Sequence, residues 1–135
     1  MIVVDTSAVL AIYLGEDDAA RYAEAIERDD APTMSTASVL ECSIVVRARK
    51  AEGDAAAEQW LDDFIQVSRI DVRDVDRPQL AIARTAHQTY GKGTGHGAAL
   101  NFGDCFSYAL ARSLDVPLLF KGADFSRTDI RPALT

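Results

Sequence analysis

The sequence predicts a three-layer α/β/α domain built on a central parallel sheet of about five strands. Three observations carry that prediction. Short apolar runs such as MIVV (1–4) and VPLLF (116–120) lack polar alternation, which suits strands buried on both faces. Longer segments between the strand candidates repeat their apolar residues at the helical period of 3.6. The chain of 135 residues, 48% of them apolar, is the right size for one domain with a real core, spanning 1–135. Strands separated by helices pair in parallel through right-handed crossovers.

The elements follow in order. MIVV is a β-branched N-terminal strand, and Asp5-Thr6-Ser7 then supplies helix-start chemistry before AVLAIYL (8–14). A second helix fits 16–30, with Ala19, Tyr22, Ala23 and Ile26 on one stripe. APTMS (31–35) is a short strand with Pro32 near its start. Residues 36–51 read as a helix through Val39, Leu40, Ser43, Ile44 and Val46, stopped by Gly53. Residues 54–68 repeat the pattern through Ala57, Trp60, Leu61 and Phe64. RIDV (69–72) is a third strand candidate, and a helix with Pro78 in its first turn runs to about Tyr90. GKGTGHG (91–97) must be a loop, because five of the eight glycines lie between Gly91 and Gly103. A helix over 104–114, the VPLLF strand and a short last strand at DIRPA (129–133) complete the chain.

Composition narrows the function. Fourteen basic against twenty-one acidic residues give a net charge of −7. Gripping nucleic acid through a basic face is therefore excluded as the main mode, since such binding rests on neutralised phosphates. A nucleic-acid enzyme remains open, because bound divalent cations invert the sign of a local acidic cluster. Cys42 and Cys105 are far apart in apolar helical patterns; they read as small buried side chains in a reducing compartment, and no spacing suggests zinc. The N-terminus, interrupted by Asp5 and lacking a basic lead, fits neither a signal peptide nor a membrane span. The expectation is a cytoplasmic protein with no membrane partner.

Four acids stand at meaningful places. Ligands of open parallel sheets bind beyond the carboxyl ends of the strands, where strand order reverses. Asp5 ends the first strand, and Asp124 follows VPLLF after the turn Lys121-Gly122-Ala123. Asp104 begins a helix whose apolar stripe is Phe106, Ala109, Leu110 and Leu114, so it looks away from that stripe with Ser107, Tyr108 and Ala111. Glu41 lies between Leu40 and Cys42, where a charge needs a partner. Each acid also has a plain explanation: helix caps at Asp5 and Asp104, a turn at Asp124, a solvated helix edge at Glu41. Together at one strand end they would repel one another without a cation, and oxygen-only ligands suit Mg²⁺ or Mn²⁺. A cation of that kind, retaining waters, serves phosphodiester hydrolysis.

The stretches MIVVDTSAVLAIYLGED, STASVLECSIVV, GKGTGHGAALNFGDCFSYALA and PLLFKGADF resemble the PIN-domain ribonucleases, in particular the VapC-type toxins of toxin–antitoxin pairs, from residue 1 to about 130. The resemblance implies metal-dependent endoribonuclease activity on RNA. It carries the family's acidic positions onto Asp5, Glu41, Asp104 and Asp124, its hydroxyl onto Ser7 with Thr6 completing the DTS motif, and its asparagine onto Asn101. Ala123 departs from the Asn or Asp that many members place before the last acid. The resemblance also implies inhibition by a cognate VapB-type antitoxin and a homodimer.

On this reading Asp5, Asp104 and Asp124 hold the cation, Glu41 completes the site or deprotonates the attacking water, and Ser7 steadies Asp5. The loop YGKGTGHG offers Lys92 to phosphate and His96 to a base; read plainly, it is a connector with a surface lysine. Lys121 and Arg127 flank Asp124 as candidate phosphate contacts or as surface charges. Arg47, Arg49 and Lys50 complement a helix dipole. Trp60, Phe64 and Tyr22 read as core or dimer contacts, and His87 as incidental. Two rival readings are a catalytically inactive PIN-like binding module and an aspartyl-phosphate receiver or phosphatase. The phosphatase pattern needs Asp-x-Asp, and position 7 is Ser.

Overall fold

A computed structural model describes residues 1–49 and 53–135. In chain order the elements are β1 (Ile2–Val4), α1 (Thr6–Tyr13), α2 (Ala19–Arg28), β2 (Pro32–Ser35), α3 (Thr36–Ala48), α4 (Asp54–Val67), β3 (Asp71–Arg73), α5 (Arg77–Tyr90), α6 (Phe102–Leu114) and β4 (Leu118–Leu119), followed by a 3-10 turn over Phe125–Arg127. The strands form one parallel sheet in the order β3-β2-β1-β4. Val3 faces Leu118 and Val4 faces Leu119 across the β1–β4 pair.

Strand alternation sorts the core into two layers. Val3 and Leu118 pack with Leu100, Leu110 and the alanines of α5 on one side. Val4 and Leu119 pack with Val9, Tyr22, Met34 and Leu61 on the other. Both strand pairs are fully buried, which explains their unbroken apolar sequence. Trp60 stacks on Phe64 at 5.2 Å with the ring of Tyr13 edge-on at 4.6 Å, and the half-buried Trp60 and Phe64 pack against the core. Cys42 and Cys105 are buried and unbridged. No helix among the described residues is long and apolar enough to cross a membrane.

Several expected boundaries move, each for a local reason. α1 starts at Thr6 because Asp5 itself caps it. α2 starts at Ala19, three residues late, since Glu16–Asp18 form the turn out of α1. The third strand sits at Asp71–Arg73 rather than 69–72: Arg69 adopts φ 56° and the N–H of Ile70 closes on the carbonyl of Ile65, so both belong to the end of α4. The last strand reduces to a single parallel bridge between Leu118 and Pro132. Pro132 has no N–H, and the pairing is carried by Arg131 and Ala133, whose carbonyl and N–H bond Leu118 at 2.9 and 2.8 Å. Of the expected helix over 36–51, and of the cluster Arg47, Arg49 and Lys50, positions 50 and 51 lie outside the described residues. Arg47 bonds the Ser43 carbonyl in the last turns of α3 and pairs with Glu58.

Candidate active site

The strand order reverses between β1 and β4, and the two acids that follow these strands stand at that reversal. Asp5 leaves β1 with its N–H bonded to the carbonyl of Leu119 at 2.9 Å, so its position is set by the sheet itself. It then caps α1. Its Oδ2 accepts from the Ser7 N–H at 3.0 Å and from the Ser7 hydroxyl at 2.6 Å. The Ser7 oxygen in turn accepts from the backbone N–H of Lys121 at 2.9 Å, which ties α1 to the exit of β4. Asp5 is 3% exposed, and its Oδ1 is buried with no hydrogen-bond partner among the described residues.

Asp104 comes in from α6. The helix begins two residues before the expected 104, and its cap is Asn101. Asn101 Oδ1 accepts from the N–H of Asp104 at 2.9 Å, and Asp104 Oδ2 accepts from the N–H of Asn101 at 3.0 Å. Asp104 is thus the third residue of a capping box, with one oxygen spent on the helix. The residues sharing its side do not face solvent: Ser107, Tyr108 and Ala111 are all buried, and Ser107 bonds Ser38 of α3 at 3.1 Å.

That serine pair is the seam on which Glu41 is mounted. Ser38 also presents its carbonyl to the Thr6 hydroxyl at 3.2 Å, so α1, α3 and α6 meet there. Glu41 is three residues beyond Ser38, and Asp104 three before Ser107. The Glu41 carboxylate lies against Gly103: a β-carbon at that glycine would stand 2.7 Å from Glu41 Cδ. The absence of a side chain at Gly103 admits the acid to the first turn of α6.

These carboxylates share one electrostatic neighbourhood. Burial pushes the Asp104 carboxyl up from an ordinary 3.8 to about 7, the cap bond from Asn101 opposing, with the charges of Asp5, Asp124 and Glu41 adding to the rise. Burial likewise raises Glu41, opposed by the Thr6 hydroxyl and reinforced by Asp5. Asp124 is exposed beside the 3-10 turn and acts on Asp104 through its charge. No group of three or more His, Cys, Asp or Glu side chains among the described residues is arranged to hold a metal ion. The donor set nevertheless fits a hard dication: it is all oxygen, it is mutually repelling, and Asp5 Oδ1 is a buried lone acceptor.

The outer candidates divide. The Lys121 amine, a candidate phosphate contact or surface charge, forms ion pairs with Glu16 and Asp18, the latter at 2.9 Å. The loop carrying Lys92 is anchored rather than free-running. The Lys92 N–H bonds the Leu100 carbonyl, and the Leu100 N–H bonds Tyr90. His96 accepts from the Ala98 N–H at 3.0 Å through Nδ1 and sets its ring edge-on to Tyr90, so it staples the loop. The Lys92 side chain is exposed, and the Arg127 guanidinium lies against Gly97 of the same loop. His87 is exposed on α5. Sequence reasoning missed Ser38, Gly103, Glu16 and Asp18. Ser38 was readable as a small polar position one helical turn from an acid. The acids at 16 and 18 carried no local signal.

The PIN domain family model matches residues 2–131. The chain is 46% identical over 132 residues to Ribonuclease VapC28 of Mycobacterium tuberculosis, covering 98% of this chain and 97% of that protein. It is 47% identical over 128 residues to Ribonuclease VapC30 of the same species, covering 95% of each. Among solved structures, the sarcin-ricin loop cleaving toxin VapC20 of Mycobacterium tuberculosis superposes with a TM-score of 0.73 at 15% identity, covering 96% of both chains. VapBC2 from Rickettsia felis, bound to a DNA fragment from its promoter, gives 0.70 at 18% identity over 98% and 96%. At these identities the structural likeness speaks for the fold. The receiver and phosphatase readings find no support in any of these matches.

Proposed function

The chain belongs to the PIN-domain family, among the VapC ribonucleases, and from that premise we propose that it is a metal-dependent endoribonuclease toxin that cuts RNA phosphodiester bonds with an activated water. The observation that carries this reading is the buried Oδ1 of Asp5, without a hydrogen-bond partner among the described residues, in a neighbourhood of three further carboxylates. Asp5, Asp104 and Asp124 would hold one Mg²⁺ or Mn²⁺, with Glu41 completing the set. Such a cation, when bound, lowers the pKa of water and polarises a phosphate oxygen.

The chain's own groups supply the rest. Ser7 fixes the Asp5 carboxylate through its hydroxyl and N–H, leaving one oxygen directed inward. Asn101 holds Asp104 by one oxygen and leaves the other for the site. Glu41, whose carboxyl burial pushes up from its ordinary value, would take the proton from the attacking water. The water attacks phosphorus in line, the 3′-oxygen leaves and takes up a proton, and a 5′-phosphate remains. No covalent intermediate forms. Lys92, within the glycine loop, and Arg127, whose guanidinium lies against Gly97 of that loop, would meet the flanking phosphates.

The chain works as one domain in the cytoplasm and as a homodimer. Its partner is a VapB-type antitoxin whose C-terminal segment enters the acidic groove. Incubating total cellular RNA with purified protein in Mg²⁺, Mn²⁺ or EDTA tests the reading. Cutting should require the cation and should vanish in Asp5→Asn and Asp104→Asn. Equal cutting by all three proteins would remove the enzymatic claim and leave an inactive binding module.

A further inference from the structure

We infer that Lys121 is a positioning residue for the cleavage reaction, acting on Asp5 from outside the site through an ion-pair clamp. The inference rests on the ribonuclease reading above. Lys121 lies two residues past the end of β4, and its two ends do different things. Its backbone N–H donates to Ser7 Oγ at 2.9 Å. Its amine reaches the turn between α1 and α2, where it pairs with Glu16 and, at 2.9 Å, with Asp18. The pairing holds the amine charged and draws the Asp18 carboxyl below its usual range.

The consequence for Asp5 follows from counting donors. The Ser7 hydroxyl has one proton. The Asp5 carboxylate only accepts, so that proton goes to Asp5 Oδ2. The serine oxygen is then free to accept, and Lys121 N–H fills it. Lys121 thereby fixes the rotor of Ser7, Ser7 fixes the rotation of the Asp5 carboxylate, and Oδ1 is left as the inward oxygen. Beyond Lys121 the chain turns through Gly122 at φ 105° and carries the exposed Asp124 before the buried Phe125 anchors it again. Releasing the amine frees the backbone that carries the Ser7 donor. One cation outside the site thus sets the geometry of Asp5.

The clamp and a direct phosphate contact make opposite predictions about the acids that hold the amine. The variants are Lys121→Met, Lys121→Arg and the double variant Glu16→Gln with Asp18→Asn, compared by cleavage kinetics on a fluorogenic RNA oligonucleotide in Mg²⁺. Positioning predicts a fall in kcat of about 10- to 100-fold in both Lys121→Met and the double variant, with KM little changed, and recovery in Lys121→Arg. Amide hydrogen exchange supplies a second readout without RNA. Protection at the residue-121 N–H should fall in Lys121→Met and in the double variant, while Val3 and Val4 keep theirs. If the double variant cuts as fast as the parent or faster, or if Lys121→Met raises KM with kcat unchanged, the amine serves substrate and the inference is wrong. Unchanged protection at residue 121 overturns it too. Wild-type protein that fails to cut any RNA removes the ribonuclease reading, while the exchange result still decides the clamp.

Discussion

Replacing Asp104 with asparagine should stabilise the metal-free protein while abolishing cleavage, and the size of the gain should depend on pH. Asparagine keeps the capping box, because its side-chain oxygen still accepts from the Asn101 N–H. What it removes is a buried carboxylate whose ionisation the fold opposes. That carboxyl titrates at about 7 in the folded chain against an ordinary 3.8. The native state therefore binds the proton more tightly than the unfolded state. Stability is full below the unfolded value and is lost as pH rises through 7. About three pH units at about 1.4 kcal/mol each set a ceiling of roughly 4 kcal/mol. Solvent at the mouth of the site screens the charge, so the working figure is on the order of 2 kcal/mol at pH 8 and about 1 at pH 5. For a chain of 135 residues the corresponding rise in Tm is about 7 °C and about 3 °C. Thermal unfolding in EDTA at the two pH values, at one fixed protein concentration, measures both. A variant no more stable than wild type at pH 8, or a gap that is the same at both pH values, would refute the reasoning.

Three further outcomes are expected. Gly103→Ala should fold with a Tm within a few degrees of wild type and lose at least about tenfold in kcat, because the new methyl displaces the flexible end of Glu41 rather than backbone; activity and Tm falling together would place the damage in the fold instead. Ser7→Ala removes one hydrogen bond to Asp5 and the acceptor of Lys121, so urea unfolding should show a loss of about 1–2 kcal/mol. Mn²⁺ affinity, measured by calorimetry, should climb roughly tenfold per pH unit below 7 and level off above it, since Asp104 must shed its proton before it can ligate. A flat affinity between pH 5.5 and 7 would show that Asp104 is not a ligand.

The parts of this fold legible in the sequence are those where local chemistry and burial agree. MIVV and VPLLF declare themselves as strands because both faces are covered, and Asp5 and Pro78 declare helix starts because end signals are local. RIDV misleads because an apolar residue, Ile70, is buried as the hydrophobic end of a helix rather than in a strand. DIRPA misleads because one proline removes the donor a longer ladder needs. The acids of the site could be nominated from their positions after strands and at helix starts. Their supporting cast could not. Lys121 read as a phosphate contact or a surface charge, and nothing local announced its ion pairs with Glu16 and Asp18. Such partners are 103 and 105 residues away in the chain, and only tertiary structure brings them in.

The capping box on α6 also bears on how such a chain can be silenced by mutation. A host poisoned by its own nuclease is selected for any change that disarms it without leaving a misfolded product. Aspartate and asparagine codons differ by one nucleotide, and at position 104 the exchange leaves helix geometry, packing and side-chain shape intact. Disarmed descendants that still capture an antitoxin should therefore accumulate at this codon ahead of the other three acids.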